Sequence, residues 1–368
     1  MKSFLRRSLS PVILLSLFAA CGKSEEKRTP TPAATAVVQA KPAEVEIEES
    51  LLTPFAPLPA TMDSRTNSLT EDKITLGRIL YYEKRVSMGK DISCNTCHDL
   101  ATNGAQTTKT SEGHKKQAGK RNSPTVFNAA GHFAQFWDGR AATVEEQAKG
   151  PITNPIEMGM PSEKAVLAEI NKVAEYKELF KKAFPADKDP ITINNLSMAI
   201  GAFERKLVTP SRWDKYLKGD KTALTSAEKE GFNKFSSVGC VTCHSGEYLG
   251  GKNFQKLGSV KPWPNETDLG RQEVTKQEVD KQMFKVPSLR NIERTAPYFH
   301  DGSIASLDEA VKLMGKHQLG KDLSEADTTS IVTFLKALTG EVDKAYIAEP
   351  PTLGVKPGAA KPAAPATK

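Results

Sequence analysis

The chain has 368 residues, of which 38% are hydrophobic and 26% charged, with 25 glycines and 23 prolines. This composition excludes a collagen, a coiled coil and a wholly disordered protein, and the length suggests about two domains of ~150 residues each. Three of the positive charges behind the net charge of +7 are Lys2, Arg6 and Arg7, and without them the charge is +4. Such a charge gives no footprint typical of nucleic-acid binding.

The N-terminus is predicted to be an export signal. Its basic residues precede an apolar run over 11–20 that is too short to span a bilayer. The run ends at Phe18-Ala-Ala-Cys21, which is similar to a bacterial lipobox, although Phe18 replaces the commoner leucine. We therefore expect residues 1–20 to be a lipoprotein-type signal peptide and lipidated Cys21 to anchor a periplasmic protein to a membrane. An ordinary secreted protein cleaved nearby is the alternative.

Both ends of the remaining chain are predicted to be flexible. Residues 21–60 are rich in Pro, Ala, Glu and Thr and have few bulky apolar side chains, which is typical of a tether. Residues 348–368 have the same character and are expected to form a disordered tail. The ordered body is therefore expected over 61–347.

Four of the five cysteines lie in two copies of one motif, at residues 94–98 and 240–244. Both copies read C-x-x-C-H, the attachment signature of c-type haem, in which two thiols bind one porphyrin and the adjacent imidazole binds its iron. A redox dithiol would not need histidine in both copies, and a zinc site would need further ligands at metal spacing. The sequence therefore predicts two covalent haems, attached at Cys94, Cys97 and His98 and at Cys240, Cys243 and His244.

Helical patterns surround both motifs. Ser68 with Glu71 and Thr225 with Glu228 form capping-box patterns at the start of two helices. Amphipathic spacing predicts further helices over 163–184 and 191–207, and no stretch alternates as a large sheet would. The predicted fold is mainly α, with two cytochrome-c-like haem domains over 61–207 and 208–347 and long irregular loops.

The second axial ligand of each iron decides whether a haem only transfers electrons or also binds a reactant. Met314 lies on a predicted helix that begins near Ser306 and Glu309, and a thioether there would suit an electron-transfer haem. Spacing alone does not choose among the candidates. They are Met314, Met283, His300 and His317 for the second haem, and His114 and His132 for the first.

Several long strings resemble the bacterial di-haem cytochrome c peroxidase family, and the resemblance covers most of 65–340. Two of them are Gln-Phe-Trp-Asp-Gly-Arg-Ala over 135–141 and Ala-Pro-Tyr-Phe-His-Asp-Gly over 296–302. The others lie at 121–126, 146–151, 154–158 and 284–291. This resemblance also implies roles for individual residues.

For the first haem, the resemblance implies a low-potential, peroxidatic centre in 61–207. His98 matches its proximal ligand, and His114 matches the imidazole that closes its distal side in the oxidised resting enzyme. Glu157 matches the distal acid and base, and Gln147 matches its polar neighbour. Trp137 matches the aromatic residue between the haems on the electron route.

For the second haem, the resemblance implies a high-potential, electron-accepting centre in 208–347. His244 and Met314 match its axial pair. Asn122, with the main-chain oxygens of Thr295 and Pro297, matches a calcium site between the domains, and such oxygen ligands suit Ca²⁺. The remaining histidines, His132, His300 and His317, gain no ligand role.

The implied activity is reduction of hydrogen peroxide to water by electrons from a small periplasmic redox protein, a cytochrome c or a cupredoxin. Dimerisation is common in the family. One alternative is a di-haem electron carrier without peroxidase turnover. Another is a related enzyme that modifies tryptophans on a precursor protein, which uses a tyrosine at the position of Met314.

Overall fold

Two pairs of crossing helices organise residues 45–354, the part of the chain that the computed structural model describes. The first pair is α2 (Glu71–Tyr81) with α7 (Ile193–Glu204), and the second is α9 (Ser226–Val238) with α12 (Glu325–Lys336). The other α-helices in this part are α1 (Glu49–Leu52), α3 (Cys94–Cys97), α4 (Val144–Thr153), α5 (Glu163–Asn171), α6 (Ala174–Ala183), α8 (Arg212–Leu217), α10 (Gln272–Thr275), α11 (Leu307–Leu319) and α13 (Lys344–Ile347).

A glycine allows the close approach in each crossing. A Cβ atom on Gly77 of α2 would come within 1.8 Å of the Ala199 carbonyl oxygen on α7. A Cβ atom on Gly231 of α9 would come within 2.2 Å of the Ser330 carbonyl oxygen on α12. Real Cβ atoms do not approach oxygen so closely, so both crossings require a residue without a side chain.

Each helix pair contributes to its own hydrophobic core. The first core joins α2 and α7 to α5 and α6, and its buried members include Leu80, Tyr176 and Phe203. The second core surrounds Trp213, whose ring lies 5.0 Å from that of Phe232 on α9. Buried aromatic pairs of this kind contribute about 0.5–1.5 kcal/mol beyond the burial of their area.

Regular strands are few. β1 (Phe254–Lys256) pairs antiparallel with β2 (Met283–Lys285), with Phe254 opposite Lys285, and these two strands form the one sheet of residues 45–354. Long loops containing only short turns fill much of the remaining chain. The prediction of a mainly helical fold with long irregular loops is therefore confirmed.

The predicted helix starts differ in accuracy. Thr225 and Glu228 form the expected capping box, with each side chain bonded to the main chain of the other. At α2 the prediction was wrong, because the N-cap is Thr70 and not Ser68, and the Thr70 hydroxyl accepts from the Lys73 N–H. Glu71 thus occupies the first helical position, where its charge still favours the helix N-terminus.

The amphipathic segment 163–184 forms two helices where one was predicted. α5 ends at Asn171 and α6 begins at Ala174, because Val173 between them has an extended backbone with φ −107° and ψ 109°. The Val173 side chain is buried in the first core, and this burial compensates for the helical hydrogen bonds lost where the helix is interrupted. The segment predicted over 191–207 is helical from Ile193 to Glu204.

Parts of the segments expected to be flexible are ordered in the structure. Ile47 and Phe55 are buried in the second core, so the expectation of a flexible tether as far as residue 60 is wrong. Leu353 packs against the first core, and its carbonyl accepts from Arg85, so the tail does not begin at 348. The predicted signal peptide, Cys21 and residues 355–368 lie outside the described residues. None of the helices of 45–354 is long and apolar enough to cross a membrane.

Candidate haem sites

The first motif, residues 94–98, forms a single helical turn. α3 begins after Ser93, whose main chain and side chain bond reciprocally with Thr96. The His98 N–H then donates to the Cys94 carbonyl at 2.9 Å. Since residues three apart lie on one face of a helical turn, both thiols of the motif face the same side.

The second motif, residues 240–244, reaches a similar arrangement from a different start. α9 ends at Val238, the following Gly239 has a φ of +105° that redirects the chain, and Cys240–Thr242 forms a 3₁₀ turn. The His244 N–H donates to the Cys240 carbonyl at 3.0 Å. Both motifs therefore close the same main-chain bond from histidine to the first cysteine.

A main-chain carbonyl fixes the orientation of the histidine in each motif. His98 Nδ1 lies 2.9 Å from the Pro124 carbonyl oxygen, and His244 Nδ1 lies 3.0 Å from that of Leu249. Because a carbonyl only accepts, Nδ1 carries the hydrogen and Nε2 keeps a free lone pair. Burial lowers the pKa of both imidazoles, which favours the neutral form that binds iron. These residues fit a c-type haem at each motif.

The cysteines do not resemble a redox dithiol. No disulfide joins them, and burial raises the pKa of Cys94 and of Cys240 to about 12. Reactive dithiols have lowered pKa values, so these thiols are poor redox centres. Within residues 45–354 no group of three or more His, Cys, Asp or Glu side chains is placed to hold a metal ion.

A loop containing His114 lies directly on the segment containing Glu157. The His114 N–H donates to the Glu157 carbonyl at 2.9 Å. A Cβ atom on Gly113 would come within 1.7 Å of the Ile156 carbonyl oxygen, and one on Gly159 within 2.2 Å of His114 Nε2. The structure thus brings these two predicted site residues together.

The His114 loop and Glu157 also lie beside the first motif. The Ser111 hydroxyl of the loop bonds that of Ser123 at 2.6 Å, next to Pro124, whose carbonyl bonds His98. Burial and the charge of Glu157 raise the pKa of the Cys97 thiol. Burial raises the pKa of the Glu157 carboxyl, and Arg140 and Asn154 only partly offset this effect. A carboxyl group that holds its proton more tightly than usual is suited to donating it in a reaction.

Gln147 lies on α4, the helix that leads towards Glu157, and its side chain is half-buried. That side chain makes no hydrogen bond to another described residue. Its amide is therefore free to bind a reactant, but no hydrogen bond ties it to Glu157.

Trp137 connects two distant parts of the chain. Its indole Nε1 donates to the Asn122 carbonyl at 2.9 Å, and its own carbonyl accepts from the Lys285 N–H at 2.8 Å. Asp138 beside it accepts from Arg121 at 2.6 Å, and Arg121 also binds Asp268 through two nitrogens. Sequence reasoning gave Arg121 no role, because its partner Asp268 is 147 positions away.

The candidates for the second haem's other ligand differ in their partners. Met314 is half-buried on α11. His317 on the same helix bonds the Lys261 carbonyl through Nδ1, and its ring lies 5.0 Å from Trp263. His300 is buried and stacks on Phe284 at 4.3 Å. Both histidines thus have packing roles of their own.

The predicted calcium ligands lie in neighbouring segments. Asn122 is buried, and its amide nitrogen donates to the carbonyls of Thr108 and Lys109. The Asn122 main chain N–H donates to the His300 carbonyl at 2.8 Å, which places Asn122 against the loop that includes Thr295 and Pro297. The amide oxygen of Asn122 is the atom left to bind a cation.

Comparison with known proteins identifies the family. The profile for the di-haem cytochrome c peroxidase family matches residues 71–222. A cytochrome c551 peroxidase of Nitrosomonas europaea is 47% identical over 272 residues, which cover 73% of this chain and 80% of that protein. The chain belongs to the di-haem cytochrome c peroxidase family. A cytochrome c551 peroxidase of Pseudomonas aeruginosa is 44% identical over 294 residues, which cover 78% of this chain and 84% of that protein.

A solved structure agrees with this membership. A MauG-like protein associated with microbial copper homeostasis superposes with a TM-score of 0.70 at 28% identity, covering 80% of this chain and 97% of that one. The family resemblance inferred from the sequence is therefore confirmed. Membership of a di-haem family also confirms two c-type haems as the cofactors, in agreement with the two motifs.

Proposed function

We propose that this chain reduces hydrogen peroxide to two water molecules, using two electrons from a small periplasmic redox protein. The donor is a cytochrome c or a cupredoxin. One observation carries the proposal: His114 and Glu157 are joined by a hydrogen bond beside the first haem motif. The names of the two bacterial peroxidases described above support the same activity.

Glu157 supplies the proton transfer. When bound, the first haem supplies electrons and a coordination position for peroxide. The Glu157 carboxyl moves a proton from the inner to the outer peroxide oxygen, so that water and not hydroxide leaves. General acid–base catalysis of this kind contributes about 10²–10⁴-fold. The free amide of Gln147 orients the peroxide.

His114 controls access to this site. In the observed arrangement its ring lies over Gly159, and its main chain is bonded to Glu157. We assign this arrangement to the closed, resting form, in which His114 would be a second protein ligand of the first haem. Movement of the His114 loop opens the site. The loop then has two positions, and a change elsewhere in the protein can shift the equilibrium between them.

His244 and Met314 would hold the second haem, which would supply the acceptor for electrons from the donor protein. Thioether ligation raises a haem's potential, which suits an electron acceptor. Trp137 lies on the route to the first haem. Its indole bonds the Asn122 carbonyl and its own carbonyl bonds the Lys285 N–H, and these two hydrogen bonds hold Trp137 between distant segments. Asn122, with the carbonyl oxygens of Thr295 and Pro297, binds Ca²⁺ close to this route.

The protein acts in the periplasm, where c-type haem is attached, and lipidated Cys21 anchors it to a membrane. Loss of label from a lipid precursor in a Cys21→Ser variant tests the anchor, and unchanged labelling overturns it.

A homodimer is the proposed assembly. Sedimentation of the purified protein with and without Ca²⁺ tests that assembly, and a monomer under both conditions refutes it.

The activity is tested by adding peroxide to the half-reduced, haem-loaded protein with a reduced cytochrome c present. We expect catalytic consumption of peroxide with two donor molecules oxidised for each peroxide. A di-haem electron carrier would instead be oxidised slowly and only once. That result would overturn the proposal. The tryptophan-modifying alternative is disfavoured because Met314 stands where that enzyme has a tyrosine.

A further inference from the structure

A buried pair of nitrogen atoms lies outside the sites described above. Lys285 Nζ is 3.0 Å from His132 Nδ1, and the two residues are only 7% and 9% exposed. Since an ammonium group only donates, His132 Nδ1 is the acceptor and Nε2 carries the hydrogen. The pair therefore presents N–H donors from both side chains.

These donors have no acceptor of opposite charge. His132 Nε2 is buried and has no hydrogen-bond partner, and Lys285 forms no ion pair within residues 45–354. Burial lowers the pKa of Lys285 to about 8 and that of His132 well below its usual value, and no acidic side chain opposes either effect. Buried charges in proteins are normally paired, so the pair is suited to a carboxylate that the chain itself does not provide.

The position of the pair points to one of the two haem motifs. Lys285 is followed by Val286, whose carbonyl accepts from the Gly251 N–H at 2.8 Å, seven residues after His244. The His132 ring packs on Gly251 and lies 5.4 Å from the Tyr248 ring, and both of these residues follow His244 closely in the chain. The Lys285 N–H also donates to the Trp137 carbonyl. The pair is thus built into the wall next to the second motif.

We propose that Lys285 and His132 bind a propionate carboxylate of the haem attached at Cys240 and Cys243, and that the Lys285 charge raises that haem's reduction potential. A positive charge stabilises the reduced haem relative to the oxidised one, since oxidation adds positive charge to the iron. This inference rests on the two haems of the family and not on the proposed peroxide chemistry.

The test is an optical redox titration of the haem-loaded Lys285→Met variant. We expect the equilibrium constant for reduction of the second haem to fall about tenfold, which is ~59 mV for a one-electron couple. The propionate bending band in the resonance Raman spectrum should shift at the same time. Lys285→Arg, which keeps the charge, should restore most of the potential. Lys256→Met removes an exposed charge from the paired strand β1 and should change neither quantity.

Three results would overturn the proposal. One is an unchanged potential and propionate band in Lys285→Met, and another is a shift confined to the first haem. The third is a shift that depends on added acetate, which would identify the ligand as a free anion. If Lys285→Met fails to bind haem, His132→Phe provides the same test through the propionate band. Absence of peroxide turnover in the native haem-loaded protein would instead count against the proposed function, and it would leave this test of Lys285 and His132 unaffected.

Discussion

The imidazole of His114 lies over the α-carbon of Gly159, where a single added methyl group would come within 2.2 Å of Nε2. Gly159 has a φ of +68°, a conformation that residues with side chains rarely adopt. Two physical constraints thus require glycine at this position. The contact fixes the ring of His114 above the segment that contains Glu157.

Gly159→Ala should therefore displace His114 and open the first haem. We expect the fully oxidised variant to show a high-spin first haem in its electron paramagnetic resonance spectrum. Gly219→Ala is the matched control, because Gly219 has a φ of +103° but no atoms near its missing Cβ. A low-spin first haem in Gly159→Ala, identical to the native spectrum, would show that His114 does not close this site.

Glu157→Gln should leave both haem spectra nearly normal and lower peroxide turnover at least about tenfold, within the range of general acid–base catalysis. The amide keeps the shape of the carboxyl but cannot transfer its proton. Glu163→Gln, at the exposed start of α5, controls for loss of one negative charge. Turnover equal to that of the native enzyme would remove Glu157 from the mechanism.

Asp214→Asn should destabilise the fold by about 3–5 kcal/mol, because it leaves the buried Arg290 guanidinium without its anion. The two side chains are 2.6 Å apart and almost fully buried. Chemical denaturation measures the loss, and Asp327→Asn, which removes an exposed ion pair, should have little effect. If Asp214→Asn lowers the unfolding free energy no more than Asp327→Asn does, the buried ion pair does not stabilise the fold as predicted.

The same ion pair has a predictable pH dependence. Arg290 and two main-chain donors lower the pKa of the Asp214 carboxyl despite its burial. The stabilisation is therefore complete above the unfolded pKa of about 3.9 and is lost as the pH falls through the lower folded value. The difference in unfolding free energy between the native protein and Asp214→Asn should narrow only in that acidic range.

Gly77→Ala should destabilise the protein by about 1–3 kcal/mol, the usual cost of overpacking. The new methyl group would push α2 away from the Ala199 carbonyl on α7. Gly150→Ala is the control, because its Cβ would meet only the Phe136 ring edge at 3.5 Å. An unchanged melting temperature in Gly77→Ala would show that α2 and α7 can accommodate a methyl group at this contact, which would contradict the prediction.

Removal of the proposed Ca²⁺ ion with a chelator should lower the melting temperature of the native protein. A ligand at 100 times its Kd stabilises the folded state by about 2.7 kcal/mol. Asn122→Ala should abolish this response to the chelator while both haems remain bound. A chelator effect of the same size in the variant would exclude Asn122 as a ligand.

Features set by residues close in sequence were predictable. The two C-x-x-C-H motifs and the Thr225 capping box each depend on fewer than six neighbouring residues, and each has the expected local structure. The start of α2 was misplaced because Ser68 and Thr70 are both good caps, and only the packing of the helix selects one. Local signals therefore identified the motifs more reliably than the helix ends.

Features set by distant residues were not predictable. Arg121 and Asp268 are 147 positions apart, and Lys285 and His132 are 153 positions apart, so no pattern in one sequence relates them. Ile47 and Phe55 lie in a segment whose composition is typical of a tether, yet a few apolar residues suffice when a core exists to receive them. The site roles came from the family resemblance for the same reason.

The carbonyl groups of Pro124 and Leu249 that hold the two haem histidines belong to the main chain. Every amino acid has a main-chain carbonyl oxygen, so no amino-acid substitution at either position removes the acceptor. The hydrogen bond that orients each imidazole therefore survives substitution of its partner residue. A carboxylate side chain in the same role would be lost by a single substitution. A substitution can change the strength of these bonds only indirectly, by changing the shape of the loop that carries the carbonyl.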